Sequence, residues 1–121
     1  MRVKFAELPV FDQDRAIAFY TRALGCTVAA DAPMGEDGWR WVELAFPGAE
    51  SHLHFLAREN EEPSADPVLV LVDDDVQGTV EKLREQNVEI VSEPQQAPWE
   101  PGTTFAEFRD SEGNRMVVTD R

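Results

Sequence analysis

The chain has 121 residues, 42% of them hydrophobic, a single cysteine and a formal net charge of −13. That length favours one domain able to bury about two-thirds of its unfolded surface. The acidity argues against nucleic-acid and anionic-membrane partners, which need basic surface, and one cysteine excludes an internal disulfide framework. No apolar run is long enough to cross a bilayer, and the N-terminus lacks a signal-peptide cleavage site, so a cytoplasmic protein is expected.

Val3–Val10 reads as the first strand, and Pro9, which cannot donate a ladder bond, marks it as an edge or a bulge. Residues 12–25, DQDRAIAFYTRALG, read as an amphipathic helix. Asp12 is the N-cap, and Asp14 adds negative charge where the helix dipole is positive. Ala16, Phe19, Tyr20, Ala23 and Leu24 recur at helical spacing, which predicts that Phe19 and Leu24 are buried. Gly25 can take the left-handed conformation that ends the helix. Cys26–Ala30 reads as strand two, residues 31–38 as a breaker-rich loop, Trp39–Phe46 as strand three and His52–Ala57 as strand four. The charged, apolar-poor residues 58–66 form a linker. The run VLVLV at 68–72 suits a buried strand. Asp73, Asp74 and Asp75 then lead into a helix with Val76, Val80 and Leu83 on one face, and Asn87 stands where Gly25 stood. Val88–Val91, Thr103–Arg109 and Arg115–Thr119 complete the strands, with a loop at 94–102 and a DSEGN turn between the last two. Strand, helix and three strands thus occur twice, which marks an internal repeat.

Side chains alternate along a strand. Val42, Leu44 and Phe46 therefore suit the face under a helix, with Trp39, Trp41 and Glu43 opposite. On strand four Leu53 and Phe55 oppose His52, His54 and Leu56. Tryptophans and histidines on one wall suit a small planar ligand; the same residues could instead fill a barrel or a dimer interface. Glu7, Glu43 and Glu107 lie on strands that can face the same way. A buried carboxylate needs a partner, for which Arg40, Arg109 or the ligand are the candidates. Cys26 reads as a small buried hydrophobe.

Two such units, with FYTRALG in the first helix and FRDSEGN before the last strand, resemble the vicinal oxygen chelate superfamily of glyoxalase I, bleomycin-resistance proteins and extradiol dioxygenases. The resemblance covers essentially the whole chain. It implies an α+β fold of two βαβββ repeats, each a curved half-barrel mixed sheet with its helix outside: repeat one at 1–58, a linker at 59–66 and repeat two at 67–121, together one domain. It also implies a divalent metal, whose ligand positions fall here on Phe5, Pro67 or Val68, Val117 and His54. Only His54 is a donor, with His52 two residues earlier, whereas such metals need about three or four protein ligands. The expectation is a small-molecule-binding protein without metal or other cofactor, sequestering a drug or metabolite as a homodimer. Its ligand site is expected at Trp39, Trp41, His52 and His54, with Phe5, Glu7, Glu43, Glu107 and Trp99, the last on a loop that borders the cavity mouth in this family. The alternatives are a metal-dependent lyase, isomerase or dioxygenase on a rearranged His52/His54 site, and a ligand-free dimeric interaction module.

Overall fold

Each half of the chain folds as strand, helix, strand, strand, strand. The computed structural model describes residues 1–121, in two compact units, Met1–Glu61 and Glu62–Arg121. The first holds β1 (Phe5–Val10), α1 (Gln13–Ala23), β2 (Thr27–Pro33), β3 (Arg40–Ala45) and β4 (His52–Ala57). The second holds β5 (Pro67–Val72), α2 (Val76–Glu85), β6 (Ile90–Gln96), β7 (Thr104–Arg109) and β8 (Arg115–Thr119). Each unit has an open four-stranded mixed sheet, ordered β1-β4-β3-β2 in one and β5-β8-β7-β6 in the other. The first strand runs parallel to the last and the remaining pairs are antiparallel.

Both helices begin on an aspartate. Asp12 accepts a hydrogen bond from the Arg15 amide at 3.0 Å, and Asp75 accepts one from the Gly78 amide at 2.9 Å, satisfying donors that the first turn leaves open. The chain leaves them through left-handed residues, Gly25 at φ +72° and Asn87 at φ +62°. In α1 the buried residues are Gln13, Ala16 and Tyr20, and in α2 they are Val76, Val80 and Leu83. Phe19 and Leu24 are only half-buried. The buried stripe of α1 is centred on Ala16 and Tyr20, with Phe19 on its flank in edge-to-face contact with Tyr20 at 5.3 Å between centroids.

Alternation sorts the strands of the first unit as expected. Leu8, Val10, Val42, Leu44, Leu53 and Phe55 are buried in the first unit; in the second, β7 and β8 are buried on both faces, from Phe105 to Phe108 and from Met116 to Thr119.

Three strand expectations need correction. β5 is an edge strand, and Val70 and Val72 are 63% and 68% exposed rather than buried. β2 runs on through Asp31, Ala32 and Pro33, and β6 through Pro94, Gln95 and Gln96, where loops were expected. Both are edge strands with register shifts, at Val28/Ala30 in β2 and at Ser92/Gln95 in β6. An edge or a bulge is where proline's missing donor does no harm.

Candidate functional site

On the first sheet the alternation that buries Leu53 and Phe55 turns His52 and His54 to the other face. Register places Phe5 beside His52, and both Glu7 and Glu43 beside His54. Phe5, Glu7, Trp41, Glu43, His52 and His54 are thereby brought together from three strands. Trp41 and His54 lie 4.1 Å apart between ring centroids with their planes tilted by 41°, and Phe5 lies 5.5 Å from His54 and 5.8 Å from Trp41.

Each histidine on this face is gripped by a carboxylate. His52 donates from Nδ1 to Glu43 Oε1 at 2.8 Å, and His54 donates from Nδ1 to Glu7 Oε2 at 2.8 Å. The other oxygen of Glu43 accepts the Trp41 indole N–H at 2.7 Å. Those bonds, the one from His52 first and the one from Trp41 second, hold Glu43 below its ordinary carboxylate range against the opposing effect of burial. The indole plane is thus set by Glu43, and Glu43 by His52.

Trp39 precedes β3. Its amide donates to Asp37 Oδ1 at 3.1 Å, and its ring lines a depression with Met34, Gly35, Glu36 and Asp37.

Trp99 and Glu107 belong to the second unit. Trp99 is 58% exposed, with its ring 4.7 Å from Phe105, which clusters with Ala97 and Val117. Glu107 is buried, paired with Arg115 and bonded by Ser92 Oγ at 3.3 Å. The Arg115 guanidinium is the main reason Glu107 also lies below the ordinary carboxylate range.

The carboxylate partners therefore differ from those expected. Arg40 pairs with Asp31 and Asp14, and Arg109 donates to the carbonyls of Ser64 and Gly113. His52 and Arg115 are the partners instead. They occupy equivalent places, because Glu43 sits opposite His54 and Glu107 opposite Val117 in the two sheets. Each partner is two residues before that opposed position, a parity signal visible in the sequence. Gln13 was also missed. Its amide exchanges two hydrogen bonds with the Arg40 backbone, 2.8 Å to the carbonyl and 3.0 Å from the N–H. Its spacing of three and seven from Ala16 and Tyr20 marked it as inward.

The donor set does not fit a divalent metal. Phe5, Pro67, Val68 and Val117 carry no donor atom, which leaves only the two histidines of β4, fewer than the three or four ligands such a metal needs. Nowhere do three or more His, Cys, Asp or Glu side chains converge to hold an ion. Cys26 is buried, which pushes its thiol up to about 12 and removes it as a nucleophile.

Two βαβββ units with open mixed sheets and a polar–aromatic cluster on one sheet face define a paired-repeat α+β protein. The chain belongs to the Glyoxalase/Bleomycin resistance protein/Dioxygenase superfamily, whose family model matches residues 2–118. It is 37% identical over 113 residues to protein YetH of Bacillus subtilis (strain 168), covering 90% of this chain and 89% of the relative. Among solved structures it is similar to UcmS2, with a TM-score of 0.84 and 29% identity, over 100% of this chain and 98% of that one. It is also similar to TnmS3, an antibiotic binding protein from Streptomyces sp. CB03234, with a TM-score of 0.79 and 29% identity, over 98% of this chain and 93% of that one. No helix is long and apolar enough to cross a membrane.

Proposed function

We propose that the chain is a metal-free small-molecule-binding protein that sequesters a drug or metabolite. The observation that carries this reading is the aromatic set of Phe5, Trp41 and His54 on one sheet face, with Trp41 held by Glu43 and His54 by Glu7. Clustered aromatic rings with fixed polar groups at their rim suit a planar ligand. The carboxylates favour an uncharged or cationic one. The antibiotic-binding role of TnmS3 supports sequestration. Trp39 is proposed to extend the ligand surface of the first unit, and a ligand-binding role is also proposed for Trp99 and Glu107 in the second. The two repeats are proposed to work as one domain, in a cytoplasmic homodimer.

Tryptophan fluorescence titration with a panel of planar compounds tests the reading. At least one compound is expected to quench the wild type, with the response reduced in Trp41→Phe. Quenching alike in both, or in neither, overturns the site. Elemental analysis of protein purified without chelator should find no divalent metal. Stoichiometric zinc, nickel, manganese or iron would promote the enzyme reading.

A further inference from the structure

We infer that the ligand of this face carries a phenolic hydroxyl, whose hydrogen is donated to Nε2 of His54. The inference rests on the planar-ligand reading above and adds the polar group that reading leaves open.

Glu7 fixes the tautomer of His54. An ionised carboxylate offers only acceptors, so the 2.8 Å contact with Nδ1 of His54 requires the proton to sit on Nδ1. A neutral imidazole has one N–H, so Nε2 then presents a lone pair. That atom is buried and has no hydrogen-bond partner, and the His54 side chain is only 14% exposed. The other histidine differs: Nε2 of His52 is not among such atoms, and its side chain is 33% exposed. A buried acceptor without a donor is a standing cost that a donor-bearing ligand removes.

The surroundings choose the rest of the ligand. The imidazole packs against Trp41 at 4.1 Å and Phe5 at 5.5 Å. A molecule reaching Nε2 must take over part of those ring contacts, which an aromatic ring does with least loss. The Glu7 carboxylate behind Nδ1 makes Nε2 a better acceptor, as carboxylates do for histidines elsewhere. That favours a strong donor directly on the ring, and a phenol is stronger than an aryl amine. Trp41 cannot supply the donor itself, because its indole N–H is committed to Glu43. In this arrangement Glu7 is a positioning residue and His54 makes the contact.

The test is a matched pair, 2-naphthol and 2-methoxynaphthalene, which share the ring and the oxygen and differ in the donor hydrogen. Calorimetric titration of the wild type at about pH 8, above the ordinary imidazole range, should show 2-naphthol binding about tenfold tighter. His54→Phe keeps a ring and removes the acceptor, so it should bring the ratio close to one while 2-methoxynaphthalene still binds. Equal binding of the two probes to wild type overturns the phenol inference and leaves the planar-ligand reading standing. No binding of either overturns both. A preference that survives in His54→Phe also overturns the inference. Proton–nitrogen correlation spectra of histidine-labelled wild type need no variant: Nδ1 should carry the proton and Nε2 should shift when 2-naphthol is added. A ligand-free protein with the proton on Nε2 alone would refute the tautomer on which the inference depends.

Discussion

His52 donates its Nδ1 proton to Glu43 across 2.8 Å, and the opposite oxygen of the same carboxylate takes the indole proton of Trp41. Arg115 stands in the matching relation to Glu107 on the other sheet. Both carboxylates are held below their ordinary range, Glu43 chiefly by His52 and Glu107 chiefly by Arg115. The unfolded chain therefore takes up protons at a higher pH than the folded one. The stabilisation is present above the ordinary carboxylate range, about pH 4 to 4.5, and is lost as pH falls through the lower folded values. Denaturation midpoints should fall in acid, and Glu107→Gln should flatten that fall. At neutral pH the same variant should cost about 1–3 kcal/mol, since Arg115 loses its charged partner. Urea unfolding at a series of pH values decides the matter; identical pH slopes in variant and wild type would show that Glu107 does not carry this linkage.

Tyr20 is completely buried and Phe19 is not. Tyr20→Ala should cost about 3–5 kcal/mol by opening a cavity under α1. Phe19→Ala should cost clearly less, and Arg22→Ala under about 0.5 kcal/mol. Equal losses for Tyr20→Ala and Phe19→Ala in urea unfolding would mean that the stripe is centred elsewhere.

Gln13 ties the first turn of α1 to the start of β3. Gln13→Ala should cost about 1–3 kcal/mol, because the Arg40 N–H and carbonyl lose their partners. Gln13→Glu should be worse near neutral pH, since a carboxylate would face the Arg40 carbonyl that now accepts from Nε2, and part of the loss should return in acid. Hydrogen exchange at the Arg40 amide provides the local check: unchanged protection in Gln13→Ala would mean that the bonds are not made in solution.

A homodimer is the expected state. Sedimentation or light scattering at micromolar concentration should give twice the chain mass. Val70 and Val72, exposed on the edge strand β5, are natural positions for lysine substitutions to weaken association, because charges on an edge discourage further pairing. A monomeric mass for the wild type would end this expectation.

Much of the fold was written in local chemistry. Asp12 and Asp75 mark helix starts, Gly25 and Asn87 mark ends, and strict alternation at Trp41–Leu44 and His52–Phe55 assigned the faces. Errors came where tertiary position overrides composition. VLVLV looked buried because apolar content does not say whether a strand is central or at an edge. Pro33 and Pro94 looked like loop residues because a proline is compatible with a strand only once that strand is known to be an edge. At the site, the facing of Phe5, Glu7, Trp41, Glu43, His52 and His54 follows from parity. Which carboxylate takes which cation depends on cross-strand register, and a two-residue offset chose His52 and Arg115 over Arg40 and Arg109.

The matched carboxylates also bear on how a duplicated pattern diverges. In one copy Glu43 meets an imidazole, a partner whose charge is optional; in the other Glu107 meets a guanidinium, whose charge is permanent. With Val117 standing where the first copy has His54, the second copy carries neither imidazole of the first. Directed variation aimed at a new ligand should therefore be concentrated in residues 5–54, where polar groups still have alternatives. Libraries spread over residues 105–117 should return mostly unstable chains.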